Sequence, residues 1–390
     1  MLSFSLPNND ALPIGLDIGH GWIKMVQFAQ GEKMSVRAAQ KLRIDDEPVD
    51  DPQKYREKVI AAVRQLLTKD RFQGRNVVTA LANENLQITS LRLAQMSEEE
   101  TYRAVMDEAA GRFKFNSDSD VVRYMPVGQA RQGDELKNEF VLFAAGGQVV
   151  REHIEMLREA DLVPVGLDTV ACALFRGIDR LFRREEDLQR TLVFLDVGKC
   201  YTTVVFGRGG EIAFVKEIPI GTQRFDEEIA DKLAISVPEA QLLRAALRAE
   251  RSAEEQSDEN LPREEDNFTG ETSTDSKTAV QTSLDVSTRQ VIVDAVTNVS
   301  QQLAREISLC FKYYTVTFRG KRVERAIFSG GGTYENTLVN VLRRQLMVDV
   351  EIAEPFRGFN TSGVSLASDR KGELCEWTVA VGLALKGLER

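Results

Sequence analysis

Two short acidic turns carry the chemistry of this sequence. Asp17 and Asp196 each end an apolar run, and each stands two residues before a glycine, Gly19 and Gly198. A carboxylate placed beside such a turn suits a Mg2+ ion that keeps most of its water and takes few protein ligands. The amides of Gly19, His20 and Gly21, and those of Gly198, Lys199 and Cys200, could donate to phosphate oxygens, because successive turn amides form anion-binding concavities. Lys24, on the run after the first turn, could neutralise a phosphate as a point charge. A third signal, RAIFSGGGTYENTLVNVLRRQL, reads as a buried strand, a triple-glycine turn at Gly330, Gly331 and Gly332, and an amphipathic helix. Glycines at such a junction let a ligand approach the backbone near the helix N-terminus. The competing account is a set of structural hairpins in which each Asp caps its own turn.

The two acidic turns belong to an internal duplication. LDIGHGWIKMVQFAQGEKMSV from Leu16 and LDVGKCYTTVVFGRGGEIAFV from Leu195 align without a gap at an offset of 179 residues. They share Leu16/Leu195, Asp17/Asp196, Gly19/Gly198, Val26/Val205, Gly31/Gly210, Glu32/Glu211 and Val36/Val215. Each copy reads as a strand, a D-x-G turn, a second strand, a G-E turn and a third strand, followed by helical sequence. Two such β-β-β-α units imply two similar domains that face each other across a cleft, an α/β architecture.

Between the copies, NVVTALANENLQITSLRL reads as a pair of strands. SEEETYRAVMDEAAGRF opens with the capping signature Ser97 and Glu100. SDVVRYMPVGQA and EFVLFAAGGQ follow as further strands, so residues from about 83 to 144 form a small α+β insertion in the first domain. EHIEMLREADLVPVGLDTVACALFRG reads as two helices with Pro164 between them. The expected organisation is a first domain at 12–190 and a second at 191–390, with a helical subdomain near 222–310. Helical patterns run from about Phe225 to Arg251 and from about Thr288 to Tyr314. The stretch between them, about 250–285, holds 11 acidic and 3 basic residues and almost no aliphatic ones, which reads as a flexible acidic loop.

That stretch alone carries a net charge of −8 out of −10 for the 390-residue chain, so the remainder is nearly balanced. No basic patch with interleaved aromatics supports nucleic-acid binding. The sequence has no apolar run of the roughly 20 residues that span a bilayer, and MLSFSLPNNDALPIG does not read as a signal peptide. Cys172, Cys200, Cys310 and Cys375 lack metal or disulfide spacing, which fits reduced thiols in a cytoplasm. His20 and His153 are the two histidines, so a multi-histidine metal site is excluded. The closing ELCEWTVAVGLALKGL, with Trp377, reads as a core helix rather than a membrane anchor.

The two phosphate turns, the GGG turn and the closing helix resemble the actin/Hsp70/sugar-kinase superfamily. Within it, the chain resembles the PilM family of type IV pilus assembly from Ile14 to Leu388, through VVTALANENLQITSLRL, LREADLVPVGLDTVACALFRG, FVKEIPIGTQRFDEEIADKLAISVPEAQLLR, EISLCFKYYTVTFRG and IFSGGGTYENTLVNVLRRQLMVDVEIAEPF. The resemblance implies an actin-like fold of duplicated ribonuclease H-like domains, with ATP and Mg2+ in the cleft. It implies Asp17, Gly19 and Lys24 at the first phosphate turn, and Asp196, Gly198 and Thr202 at the second. Gly330 to Gly332, with Tyr334 after them, would lie near the adenosine, Gly221 would border the nucleotide, and Asp168 would be an acidic position at the hinge and a candidate catalytic residue.

Several positions depart from the family pattern. Small hydroxyl residues are usual in the first turn, where this chain has His20-Gly21-Trp22, and small residues are usual where it has Lys199-Cys200. Gln241 and Arg244 stand where relatives carry a Glu and a Lys around ribose and adenine. In relatives the insertion helps form a groove for the N-terminal cytoplasmic peptide of the inner-membrane protein PilN, with motor or platform components as further partners. The expectation is therefore a cytoplasmic, actin-like ATP-binding scaffold of a pilus or related secretion system, held at the inner membrane through partners. No strong catalytic base stands out, so ATP turnover is expected to be slow or absent. The alternatives are a filament-forming, division-type actin homologue and a small-molecule kinase using Asp168 as base.

Overall fold

The computed structural model describes residues 11–44, 51–69, 71–113, 119–132, 135–259, 284–317, 322–366 and 374–388. The chain begins with β1 Ile14–Ile18, β2 Trp22–Ala29, β3 Ser35–Arg43, α1 Pro52–Lys69 and β4 Asn76–Leu81. An insertion follows: β5 Gln87–Ala94, α2 Glu98–Phe113, β6 Val121–Gln132 and β7 Glu135–Ala145. Then come α3 Gly147–Glu159, β8 Val163–Thr169, α4 Val170–Asp179 and the single turn α5 Glu185–Leu188. The second half runs β9 Thr191–Val197, β10 Thr202–Arg208, β11 Glu211–Ile218, α6 Gln223–Leu233, α7 Val237–Glu259 and α8 Val286–Thr317. It closes with β12 Arg325–Ser329, α9 Asn336–Leu346, β13 Asp349–Ile352 and α10 Thr378–Leu385.

The duplication seen in two hairpins extends to both whole sheets. Their strand orders are β3-β2-β1-β4-β8 and β11-β10-β9-β12-β13. In each, the three leading strands are antiparallel and the last two are added in parallel. Such parallel additions need a crossover. Burial follows from the same pattern: β9 and β10 are buried almost throughout, as expected for strands covered on both faces. One face of the second sheet packs against α6 to α9, through residues such as Phe225, Ile229, Leu303 and Leu342. One face of the first packs against α1 and α3.

The structure redraws several sequence expectations. β4 and β5, read as a pair, lie in different sheets, with β5 on the edge of the three-stranded sheet β5-β7-β6. The segment from Val163 to Thr169 is a strand rather than part of a helix. An edge strand tolerates Pro164 because one side of it makes no ladder bonds. Thr169 then caps α4 by accepting from the Cys172 amide at 3.1 Å. The helical pattern from Phe225 to Arg251 is two helices, since Ala234 turns left-handed at φ 54° and Ser236 with Glu239 starts α7 as a capping box. Helix α7 continues to Glu259, so the first part of the acidic stretch is helical, while its residues 260–283 lie outside the described residues. The capping box at Ser97 and Glu100 is present as read.

Two elements tie the halves together. The insertion leaves the first domain, and α2 covers one face of its sheet through Leu91, Val105 and Leu142. Its other face, with Val127, Val141 and Phe143, shares a core with Phe194, Val205 and Val215 of the second sheet. The closing helix α10, expected in the second domain, packs instead on the first, beside β1, β2 and α4. Backbone approaches backbone there. A Cβ on Gly382 would lie 1.8 Å from the Ala173 oxygen, and one on Gly15 would lie 2.3 Å from the Ala380 oxygen. Gly382→Ala should therefore push α10 off α4 and cost about 3 kcal/mol, the upper part of the overpacking range. Denaturant unfolding of the two proteins checks this through the shift in midpoint.

Candidate functional site

The two acidic turns are superposable in their bonding. The Gly19 amide donates to the Trp22 carbonyl at 3.0 Å, and the Gly198 amide to the Tyr201 carbonyl at 2.9 Å. Both turns open on one cavity of about 400 Å3 between the domains, within the size range of small-molecule sites. Asp17, Gly19, His20, Gly21 and Lys24 line it from the first domain, and Asp196, Gly198 and Lys199 from the second. Gly330, Gly331 and Gly332 form a further wall. Gly330 has φ 85°, and a Cβ there would lie 2.5 Å from the Val197 oxygen and 2.8 Å from Asp196 Oδ1, so glycine is required.

Two equivalent rows of residues cross the two sheets at the cavity, and all of them but Glu217 line it. In the first sheet, Asp17, Lys24 and Lys41 stand side by side across β1, β2 and β3. In the second, Asp196, Thr203 and Glu217 stand side by side across β9, β10 and β11. Lys24 and Thr203 are 179 residues apart, the offset of the duplication. Lys24 Nζ bonds Asp17 Oδ2 at 2.9 Å. Burial opposes the Lys24 charge, but Asp17, Asp196 and Glu376 outweigh it and hold its pKa above the ordinary value. Burial pushes the Asp196 carboxyl up to about 6; Asp17 adds to this, while Lys24 and the Ser329 hydroxyl oppose it. The Ser329 hydroxyl donates to Asp196 Oδ1 at 3.1 Å. Lys41 pairs with the buried Glu376 at 3.2 Å, and its ammonium lies 4.4 Å from the centroid of the Trp22 ring. Trp22 therefore lines the cavity as a platform for Lys41.

Toward α7 the cavity is lined by Gln241, Leu242, Arg244, Ala245 and Arg248. The Arg244 guanidinium makes a fork on Asp226, with Nε to Oδ1 at 2.7 Å and Nη2 to Oδ2 at 3.1 Å, and Nη1 reaches Glu335 at 3.4 Å. Burial works against the Arg244 charge, but these two carboxylates raise its pKa above the ordinary value. At the cavity mouth, His20 Nε2 and Glu84 Oε1 are 3.0 Å apart, and the His20 ring sits 5.9 Å from that of Tyr201 across the domains.

Four expected residues do not line the cavity. Thr202 turns inward and donates to the Ile220 carbonyl at 2.6 Å, while its neighbour Thr203 faces the cavity, as strand alternation requires. Gly221 supports the second turn from behind, where a Cβ would lie 2.3 Å from the Lys199 oxygen. Tyr334 is buried in the core with Phe194 and Ile327. Asp168 ends β8, with Oδ2 2.9 Å from Arg176 Nη1 and 3.2 Å from Lys386 Nζ. Asp168 thus lies off the cavity and is engaged by Arg176 and Lys386, away from where the kinase alternative needed a base. Sequence reasoning in turn missed Lys41, Asn83, Thr203, Asp226 and Glu376. Only Thr203 had a signal in the chain, as the duplicated counterpart of Lys24.

Among the described residues, no three or more His, Cys, Asp or Glu side chains are grouped to hold a metal ion. A divalent ion between Asp17 and Asp196 would take most of its coordination from water and from ligand oxygens, and hard carboxylates suit Mg2+ in that role. Among the described residues, no helix is long and apolar enough to cross a membrane.

This geometry is the setting for the likenesses of the chain. A solved structure described as the "PilM-PilN type IV pilus biogenesis complex" is similar over 97% of this chain and 99% of its own, with a TM-score of 0.71 and 22% identity. The ethanolamine utilization protein EutJ from Carboxydothermus hydrogenoformans is similar over 97% of this chain and 90% of its own, with a TM-score of 0.52 and 14% identity. No curated protein sequence matches the chain. A family profile described as "Type IV pilus assembly protein PilM" matches residues 15–256 and 285–388. The chain, with its two duplicated sheets facing one cleft, belongs to the PilM family of type IV pilus assembly proteins.

Proposed function

We propose that the cleft binds Mg·ATP and that the bound nucleotide governs docking of the N-terminal cytoplasmic peptide of a PilN-like inner-membrane protein. The chain would then act as a scaffold of pilus assembly, held at the membrane by its partner. The observation that carries this reading is the pair of equivalent acidic turns opening on one cavity, with Lys24 bonded to Asp17 and attracted by Asp196. Asp17 and Asp196 would hold Mg2+ through water, and Lys24 would neutralise phosphate. The amides of Gly19 to Gly21 and Gly198 to Cys200 would receive phosphate oxygens. Gln241 and Arg244 would face the ribose and base, with Gly330 to Gly332 closing over the adenosine. The magnesium ion, when bound, would shield phosphate charge. The strands of the insertion and the nearby face of the first domain would form the peptide groove. With Asp168 engaged by Arg176 and Lys386, turnover should be slow.

Isothermal calorimetry should give micromolar binding of ATP in Mg2+, and Asp17→Ala combined with Asp196→Ala should weaken it at least about tenfold, roughly 1.4 kcal/mol. Equal affinity in the two proteins would sink the reading. Affinity should also fall on acidification. Asp196 is ionised above about pH 6 and protonated below it, so binding at pH 5.5 should be several-fold weaker than at pH 7.5. Arg244→Lys keeps the charge but loses the fork on Asp226, and should lower unfolding stability by about 1–2 kcal/mol as well as ATP affinity. The partner is tested by fluorescence anisotropy with a labelled PilN-like N-terminal peptide, whose affinity should change when Mg·ATP is added. An unchanged value would leave the nucleotide no role in docking.

A further inference from the structure

Asn83 and Glu217 meet at the floor of the cleft from opposite domains. Asn83 opens a short 3-10 turn, Asn83–Asn85, that links β4 to the insertion, and Glu217 lies on β11. Asn83 Nδ2 donates to Glu217 Oε2 at 2.8 Å and to Thr203 Oγ1 at 3.1 Å. The Thr203 hydroxyl donates to the same Oε2 at 2.9 Å. The two remaining oxygens, Glu217 Oε1 and Asn83 Oδ1, are both buried without a hydrogen-bond partner.

Two unmatched acceptors on the two planar groups of one contact call for a donor. An ionised carboxylate accepts only, so it would leave both oxygens unmatched and a charge out of water. Both oxygens are almost wholly shielded from solvent, so bulk water does not supply the missing donor. One proton on Glu217 Oε1 supplies the donor that Asn83 Oδ1 lacks and removes the charge. Acid and amide would then form a two-bond ring, with the observed N–H to Oε2 joined by an O–H to Oδ1.

We propose that Glu217 is held as the neutral acid and that its proton, shared with Asn83 Oδ1, clamps the insertion-bearing domain to the cleft sheet of the second domain. The clamp is independent of whether nucleotide binds. The charged surroundings agree: burial pushes the Glu217 carboxyl up to about 8, Asp196 on β9 adds to this, and the Thr203 hydroxyl and Lys216 oppose it. The Tyr201 phenol, raised by burial and then by Glu84, Cys200 and Glu217, is a further titratable group near this contact. Because the folded value lies above the unfolded one of 4.5, the stabilisation is complete below about pH 4.5 and is lost as pH rises to about 8.

Thermal unfolding of the full chain between pH 5 and 9 tests the clamp, with wild type compared to Glu217→Gln and Glu217→Ala. Glutamine offers an N–H in place of the O–H and keeps the ring without titrating. The wild type should lose several degrees of Tm relative to Glu217→Gln between pH 5 and 8, then run parallel to it. Glu217→Ala should melt below both at pH 5. Parallel wild-type and Glu217→Gln curves over the whole range would overturn the proposal. Infrared difference spectra provide a second readout. A protonated-carboxyl stretch that disappears in the wild type as pH passes about 8, and has no counterpart in either variant, is expected, and its absence would overturn the proposal equally.

Discussion

The cleft depends on one buried ammonium. Lys24 Nζ is held by Asp17, and it also stabilises itself against Asp196 from the facing domain and Glu376 from the segment before α10. Three carboxylates converging on a cavity floor would repel one another, and a single interposed cation turns that repulsion into cohesion across three parts of the chain. The same cation would let the site face an anionic ligand despite its aspartates. A ligand phosphate would compete with Asp17 for Lys24, and an incoming divalent ion would compensate the aspartate thereby released. Ligand and ion would thus be expected to bind together rather than one at a time.

Duplication supplied the frame, and divergence supplied its polarity. Equivalent positions hold the ammonium groups of Lys24 and Lys41 on the first sheet but the Thr203 hydroxyl and the Glu217 carboxyl on the second. The second sheet is also where the insertion lands, through Val127, Val141 and Phe143. That apolar interface limits a simple hinge, because opening the domains about β11 would expose packed Val205 and Val215 to water. Motion between the halves is therefore more readily a sliding of packed faces than a wide separation.

Much of this was legible in the residues. The ungapped repeat of Leu16 to Val36 at Leu195 to Val215 announces two β-β-β units, and the D-x-G and GGG turns announce the walls of one cavity. What the residues left obscure has physical causes. Pro164 and Gly166 disguise β8 because both are poor strand formers, and the sheet edge permits the proline. Thr202 and Thr203 are indistinguishable in type, and their roles are separated by which face of β10 each occupies. Lys41, Asn83, Asp226 and Glu376 reach the cleft from distant stretches of chain through sheet register and helix packing, which no local spacing encodes. The partners of Asp168 were hidden because its cations come from about two helix turns ahead, Arg176, and from Lys386, more than 200 residues on.

The place of α10 bears on how the chain acquires its shape. Domains generally form in order as a chain leaves the ribosome, yet the apolar face of β1 and β2 that holds Val26 and Phe28 is covered by Trp377, Ala380 and Val381. The amino-terminal half is thus a sheet with one side unsealed until the stretch from Trp377 to Leu385 has been made. During that interval its exposed face is a surface for chaperones or for misassembly, and α10 acts as the keystone that the first half waits for.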